Sequence, residues 1–280
     1  MPPPMSKVMW VVVVSVLGCG PVTSRADADV EIDAGRAGEL DSLGFVEVLT
    51  SVMPSTAPTP IWGTQSTADF LNPDDFACAR EEMGSCVRFE CRAVTATWGP
   101  KTTAGALRVG TGSSSHPLDP NDAGVYPLIT VLPPPWSAAE AIRVSAAGRD
   151  GGVPPFTATL VVPPKIKVTS PTDFDRTTFP DVSVDVPYRV TWTGGEGATV
   201  AVVIMGGSAL GRTFCTAPGA AGALEVPSAV VQPLRGSGGF IAVGAESRVE
   251  LQVGRWTVLT YTLWSGETAT GAAYTGAVFR

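Results

Sequence analysis

Glycine and proline interrupt this chain at short intervals, and their spacing constrains the fold more than any other feature of the sequence. The chain has 31 glycines and 25 prolines among 280 residues. They separate short runs rich in valine, threonine, isoleucine and aromatic residues, which is typical of many short strands joined by tight turns. They follow no fixed period, and this excludes a collagen-like chain.

Within these runs, from Phe45 onward, apolar and polar residues alternate with the period of two that indicates half-buried strands. The predicted strands are 46–52, 86–94, 106–110, 126–132, 141–146, 156–162, 166–171, 188–194, 199–205, 212–217, 240–245, 248–253, 256–264 and 272–279. A helical turn is predicted over 227–234. We therefore predict an all-β protein of two antiparallel β-sandwich domains, over residues 45–165 and 166–280. A single large β-structure is the alternative.

The N-terminus carries the features of an export signal. Lys7 precedes an apolar run over residues 8–18, which Cys19 follows. The run is shorter than the roughly 20 apolar residues that cross a bilayer. Residues 16–19 read Val-Leu-Gly-Cys, which resembles the lipobox of bacterial lipoproteins. The resemblance implies a signal peptide over 1–18, cleavage before Cys19 and a lipid anchor on that cysteine.

The residues after Cys19 bear on where the protein resides. Gly20 stands where many lipoproteins of the inner membrane have aspartate, so the resemblance implies the bacterial outer membrane, facing the periplasm or the cell surface. Residues 19–44 are small, acidic and free of aromatic residues, and they predict a disordered tether. The net charge is −7, which gives the protein no electrostatic attraction to nucleic acid or to anionic lipid.

Two further resemblances concern the β-rich body. The segment Leu118-x-x-x-Asp122-x-Gly124-x-Tyr126 resembles immunoglobulin-like domains and implies a tyrosine corner, in which the hydroxyl of Tyr126 bonds back to the turn. Segments 188–194, 199–205 and 214–231 resemble a β-sandwich module of myxobacterial envelope lipoproteins, a group of unknown function. Both resemblances imply immunoglobulin-like sandwiches. Trp192 occupies an inward-facing strand position and is predicted to lie in the core.

Four cysteines beyond Cys19 predict two disulfides in an exported chain. Cys86 and Cys91 lie on one predicted strand, about 16 Å apart when extended, and cannot bridge each other. The sequence favours Cys78–Cys86, across a turn, together with Cys91–Cys215. The competing pairing is Cys78–Cys91 with Cys86–Cys215.

The sequence contains no recognisable catalytic motif, and we predict neither a metal site nor a cofactor. His116 lies near serines, Asp119 and Asp122, but no nucleophile-elbow motif accompanies it. Trp62 and Trp136 are predicted to pack under loops, with a ligand platform as the alternative.

These observations favour a non-enzymatic envelope lipoprotein with a binding or structural role and an envelope protein or glycan as its partner. The alternative is a hydrolase of envelope glycan or peptide that uses two carboxylates. The candidate carboxylate pairs are Glu81 with Glu82, Asp74 with Asp75, and Asp173 with Asp175.

Overall fold

A computed structural model describes residues 38–53, 61–71, 74–94, 102–111, 114–172, 174, 181–206, 210–269 and 271–280. Several sequence predictions lie outside these residues. They are the signal peptide, the lipidated Cys19, the tether up to residue 37, and the carboxylates Asp173 and Asp175.

Nearly all regular structure in the described residues is β-strand. In the first half the strands are β1 (Gly38–Leu40), β2 (Ser42–Met53), β3 (Ile61–Leu71), β4 (Phe76–Met83), β5 (Cys86–Ala93), β6 (Leu107–Gly110), β7 (Ser115–Leu118), β8 (Ile129–Val131), β9 (Ala141–Ala146) and β10 (Phe156–Val161). In the second half they are β11 (Ile166–Ser170), β12 (Asp181–Val182), β13 (Tyr188–Gly194), β14 (Thr199–Gly206), β15 (Leu210–Pro218), β16 (Ala223–Val226), β17 (Gly238–Val253), β18 (Trp256–Ser265), β19 (Glu267–Thr268), β20 (Gly271–Ala272) and β21 (Tyr274–Phe279). The predicted helical turn is present as α1 (Ser228–Val231) followed by a short 3-10 turn (Gln232–Leu234).

One large sheet combines strands from both halves of the chain. Its order is β1-β4-β5-β15-β14-β17-β18-β2-β3-β8, and β21 extends it beside β17. The pairing of β18 with β2 is parallel, so the sheet is mixed rather than wholly antiparallel. The predicted boundary between residues 165 and 166 therefore does not separate the strands of this sheet.

Several strands of the large sheet are buried on both faces, and this explains their continuous apolar sequences. On β14, Val200, Val202 and Ile204 face one core. The alternate residues Ala201 and Val203 face another. Because successive side chains point to opposite sides of a strand, a strand between two cores must be apolar at every position.

Two smaller sheets cover the outer face of the large sheet. The sheet β10-β9-β6-β7 packs over the core that contains Phe70, Trp256 and Trp264. The sheet β16-β13-β11-β19-β20 packs over a second core, where Trp192 is buried and its indole donates to the carbonyl of Gly219 over 2.8 Å. The predicted all-β sandwich class is confirmed, with both sandwiches sharing the large sheet.

A third core lies on the inner face of the large sheet, which curls around it. Residues from β2, β5, β15, β14 and β18 contribute to this core. The curl brings the two ends of the sheet together, because β1 pairs with β4 and only Asp41 separates β1 from β2. Large side chains such as Phe45, Phe89 and Phe214 contact one another here with edge-on ring geometry.

The prediction of a disordered tether through residue 44 is wrong for residues 38–44. Gly38–Leu40 form β1, and β2 begins at Ser42 and is hydrogen-bonded on both sides, to β18 and to β3. Leu43 is fully buried in the third core. Residues 38–44 are therefore ordered by main-chain pairing and by the burial of Leu43, although their composition alone favours disorder.

Both disulfides are present, but the favoured pairing is wrong and the competing pairing is correct. Cys78 is bonded to Cys91, and Cys86 to Cys215. The turn between β4 and β5 is a tight two-residue connection, in which Gly84 has a φ of +63°. Cys86 therefore lies opposite Met83, and it is Cys91 that lies opposite Cys78.

Tyr126 is buried, but its hydroxyl bonds to a distant segment rather than to its own turn. It accepts from the amide of Ala104 at 2.9 Å and donates to the carbonyl of Gly105 at 2.7 Å. Asp122 is exposed. Asn121 closes the turn instead, since its side-chain oxygen accepts the amides of residues 123 and 125.

The two disulfides close loops of very different length, and their contributions to stability should differ accordingly. Cys86 and Cys215 are 129 residues apart, whereas Cys78 and Cys91 are 13 apart. Chain-entropy estimates give about 5 kcal/mol for the long loop and about 3 kcal/mol for the short one. We expect the double variant Cys86→Ser/Cys215→Ser to lose more unfolding free energy in urea than Cys78→Ser/Cys91→Ser. Equal losses would contradict the loop-length explanation.

Candidate functional site: a charged chamber and its cleft

The inner face of the large sheet encloses charged side chains, which we call the inner chamber. It comprises a deep cluster and a mouth cluster. The deep cluster is Glu47, Asp69, Arg212 and Tyr261. The mouth cluster is Arg80, Glu82, Glu246, Arg248 and Glu250.

Arg212 organises the deep cluster. Its side chain is 1% exposed, and one guanidinium nitrogen lies 3.0 Å from a carboxylate oxygen of Glu47. Another guanidinium nitrogen donates to the hydroxyl of Tyr261 over 2.6 Å. Burial alone would lower the pKa of Arg212, but Tyr261, Glu47 and Asp69 together raise it above its ordinary value. Arg212 is therefore held in its charged form among aromatic rings, with its guanidinium carbon 4.5 Å from the centre of the Phe45 ring.

The mouth cluster joins two strands that are not neighbours in the sheet. Arg80 pairs with Glu82 on β4, and Arg248 lies 3.8 Å from Glu246 on β17. Burial raises the pKa of Glu250 to about 7, with attraction to Arg248 and Arg80 opposing the rise and repulsion from Glu246 and Glu82 adding to it. These charges on β4 and β17 therefore face each other across the chamber.

An open cleft of about 670 Å³ borders residues 246–248 of β17. The opposite wall is formed by 138–139 and by the segment 161–164, which links the two halves of the chain. Thr199 and Thr216, at the ends of β14 and β15, contribute to the same space. An adjoining groove of about 400 Å³ shares 197–199 and Thr216 and continues to residue 220.

Two atoms of the mouth cluster on β17 are buried without a hydrogen-bond partner in the protein. They are Oε2 of Glu246 and Nη1 of Arg248. Burial raises the pKa of Glu246, and the nearby Arg248 opposes that rise. An unsatisfied polar atom costs free energy when it is buried, so such groups in a native structure call for a physical explanation.

No sequence motif predicts this chamber, but the strand pattern contains an indication of it. Glu47 lies between Phe45 and Leu49 at the period-two positions that face the third core. Glu246, Arg248 and Glu250 likewise share one face of β17. A charge at an inward strand position is the signal that would have indicated a buried polar cluster.

His116 lies in the first sandwich, away from the chamber. Its Nε2 is 3.1 Å from the hydroxyl of Ser66, and its ring stacks on Trp136 at 5.7 Å. Burial lowers the pKa of His116. Ser66 is itself 1% exposed, so this serine is enclosed rather than open to a substrate. Asp119 and Asp122 are exposed on the loop that follows.

Trp136 and Trp62 both pack against the protein, and Trp62 lies on β3 rather than in a loop. Trp136 is buried, and Trp62 packs partly buried against the first core. The ammonium of Lys165 lies 5.4 Å from the ring centre of Trp62 and 5.6 Å from that of Trp264. The same ammonium is 3.1 Å from Glu267. These contacts tie the segment between the two halves to both sandwiches.

Of the carboxylate pairs that the sequence offered for hydrolysis, Glu81 and Glu82 are both engaged in ion pairs. Glu81 lies 3.4 Å from Arg88, and Glu82 pairs with Arg80. Asp75 is buried and Asp74 is exposed. Within the described ranges, no group of three or more His, Cys, Asp or Glu side chains could hold a metal ion.

Comparison with known proteins gives no relative from which a role could be transferred. No family model matches the chain, and no curated protein matches it. In the part of the chain that the structure describes, no helix has the length and apolarity needed to cross a membrane.

Arg212 should be essential to stability because its removal leaves Glu47 buried beside an empty space. We expect Arg212→Met to lose about 3–5 kcal/mol of unfolding free energy, the usual cost of breaking a buried pair from one side. The double variant Arg212→Met/Glu47→Leu should recover much of this loss. Urea unfolding measures both.

Arg235→Met is the matched control for that experiment, since Arg235 pairs with Asp185 at the exposed surface. This variant should unfold like the wild type. If Arg235→Met lost as much unfolding free energy as Arg212→Met, the larger contribution of the buried pair would be refuted.

Glu250 should make stability fall as pH rises. Its pKa is about 7 in the folded protein against an ordinary value of 4.5, so the folded state binds this proton more tightly than the unfolded state does. The free-energy cost of ionising Glu250 in the folded protein is absent at a pH below the ordinary pKa and complete at a pH above the folded-state pKa. We expect the unfolding free energy of Glu250→Gln, measured in urea, to exceed that of the wild type by about 3 kcal/mol at alkaline pH. At acid pH the two proteins should have the same unfolding free energy.

The exposed carboxylate of Glu225 on β16 provides the control, and Glu225→Gln should keep the wild-type dependence on pH. Parallel pH profiles for Glu250→Gln and the wild type would contradict the assignment of the raised pKa to Glu250.

Proposed function

We propose that this chain is a lipid-anchored protein of the bacterial envelope with a binding role rather than a catalytic one. The observation that carries the binding role is the open cleft of about 670 Å³ between residues 246–248 of β17 and the segment 161–164. This volume falls within the range of small-molecule sites, which typically combine apolar walls with a few placed polar groups.

The N-terminal sequence supports the location. Lys7, the apolar run over 8–18 and Cys19 have the arrangement of a lipoprotein signal. Two acyl chains or more on one cysteine suffice for stable anchoring, because each buried methylene contributes about 0.8 kcal/mol. Gly20 supports the outer membrane as the destination, by its resemblance to lipoproteins that are sorted there.

The disulfides of the body support an oxidising compartment. All four cysteines in the described residues are paired, and both bonds lie within the large sheet. Disulfides of this structural kind form in exported proteins and are rare in the cytosol. The net negative charge favours a partner other than nucleic acid.

Binding is preferred to glycan or peptide hydrolysis because Glu246 is the one acidic residue among the described residues that border the cleft. Glycoside hydrolysis needs two carboxyl groups about 5–9.5 Å apart on either side of the bond to be cleaved. Glu250 also lies beyond the described lining of the cleft.

Replacement of Cys19 by alanine tests the proposed anchor. In a bacterial host fed an alkyne-tagged fatty acid, the wild type should carry the tag. Cys19→Ala should lack it and run as the longer, uncleaved precursor, since the lipid is attached to the cysteine sulfur. Ser15→Ala, within the apolar run, should be labelled like the wild type. Equal label on the wild type and on Cys19→Ala would refute the anchor.

A further inference from the structure

The second half of β17 has a neighbouring strand on one side only, among the residues that the structure describes. β14 pairs with β17 from Gly239 to Glu246, and this pairing stops where β14 begins, at Thr199. On the other side, β18 continues along β17 as far as Val253. Residues 247–253 therefore form an open edge of the large sheet.

The main-chain groups of alternate residues point out of this edge. The amide of Val243 donates to the carbonyl of Ala273 over 2.7 Å, and its carbonyl accepts the amide of Gly266 over 2.8 Å. Both groups of Val243 therefore face the side of β18 and β21. Because this direction alternates from residue to residue in an antiparallel sheet, the N–H and C=O groups of Arg248 and Gln252 face the open side. Such groups at a sheet edge form a template for another strand.

The cleft of about 670 Å³ lies along this edge. Residues 246–248 border it, together with Thr199 and Thr216 near the ends of β14 and β15. A second chain that continued the line of β14 beyond Thr199 would therefore enter the cleft and run beside β17.

One wall of the cleft is apolar. It consists of residues 161–164, two valines and two prolines, and Val161 is 50% exposed. The amide of Val161 donates to the hydroxyl of Ser247 over 3.2 Å, so this wall lies over the face of β17 from which Ser247 projects. A peptide residue opposite Ser247 would project from the same face. An apolar side chain there would cover the exposed part of Val161.

These features fit an extended peptide better than a sugar or a second copy of the chain. Alternate residues of β17 present their main-chain groups about 6.8 Å apart, which is the repeat of another extended chain. None of the described residues that line the cleft is aromatic, so the stacking surface that often recognises a sugar ring is lacking. In a second copy, the same walls border the corresponding edge and keep two such edges apart.

We propose that the cleft binds an extended peptide segment of a partner protein, which adds to the large sheet as an antiparallel strand beside residues 247–253. The peptide follows the line of β14 and exchanges main-chain hydrogen bonds with Arg248 and, further along the edge, with Gln252. Its apolar side chains on one face contact residues 161–164. In this mode of recognition the main chain supplies affinity and alternate side chains supply specificity. This inference deepens the proposed binding role and rests on it, but it does not depend on the lipid anchor.

Fluorescence anisotropy with synthetic peptides tests the main-chain pairing. The probes are fluorescein-labelled hexapeptides in which threonine alternates with valine, leucine, isoleucine or phenylalanine, and each is titrated with the full chain in detergent. We expect saturable binding of one peptide per chain, with the apolar residues opposite Ser247 and the threonines opposite Arg248. Methylation of the threonine amides should weaken binding by about tenfold or more, because these amides donate to β17. Methylation of the apolar residues' amides, which face away from β17, should have a much smaller effect.

Two variants at Arg248 connect that binding to the edge of β17. Arg248→Pro removes the amide that faces the cleft, at an edge position of the kind where sheets accommodate proline. Arg248→Gln removes the same charge but keeps the amide, and it is the matched reference. We expect Arg248→Pro to bind the best peptide about tenfold or more weakly than Arg248→Gln does. In the wild type, bound peptide should slow hydrogen exchange over residues 247–253 and leave it unchanged over residues 188–194 of β13.

Three outcomes would overturn the inference: no saturable binding of any of these peptides, equal effects of the two sets of methylated amides, or equal binding by Arg248→Pro and Arg248→Gln. The fatty-acid labelling of Cys19 is independent of all three. A labelled protein that binds none of the peptides would therefore refute strand addition while the anchor remains supported. Saturable binding that both methylated sets retain would support a binding role but refute main-chain pairing.

Discussion

The structure depends on the hydrogen bonding of one long strand, β17. It runs for 16 residues and pairs with β14 and β21 along its first part and with β18 along its second. Both small sheets cover the outer face of the sheet to which it belongs, and its inner face carries Glu246, Arg248 and Glu250. The two sandwiches and the charged chamber therefore meet along a single strand.

The inner chamber places charge where the surrounding sheet would otherwise build an apolar core. Transfer of a charged group from water to the interior is costly unless it is paired and hydrogen-bonded. In the deep cluster Arg212 contacts Glu47 and Tyr261, and in the mouth cluster Arg80 pairs with Glu82 and Arg248 lies beside Glu246. Buried atoms without a hydrogen-bond partner remain in both clusters, at Oε2 of Glu47 and at Oε2 of Glu246 and Nη1 of Arg248.

Covalent and aromatic contacts join the two halves of the chain around this arrangement. Cys86 of β5 is bonded to Cys215 of β15, so the bridge connects strands that are distant in sequence and adjacent in the sheet. Lys165, in the segment between the halves, lies over Trp62 and Trp264. The cleft borders this segment, and its wall is therefore held in place from both sides. A fixed wall lowers the entropic cost of ligand binding.

The sequence by itself determined the class of structure and many of its parts. Alternating apolar residues between glycine and proline turns indicated the strands, and the inward position of Trp192 in its strand indicated a core residue. The four cysteines beyond Cys19 indicated two disulfides. These are local properties, because strand periodicity and turn preference are set by neighbouring residues.

Only the tertiary structure decided which strands pair and which charges meet. Whether Cys91 bonds to Cys78 or to Cys215 depends on the register of β4 against β5, which one tight turn sets. That Glu47 approaches Arg212, and Glu250 approaches Arg80, depends on the curl of the large sheet. Residues that are separated by more than a hundred positions become neighbours only when non-local strands pair, and no local pattern in the sequence specifies that pairing.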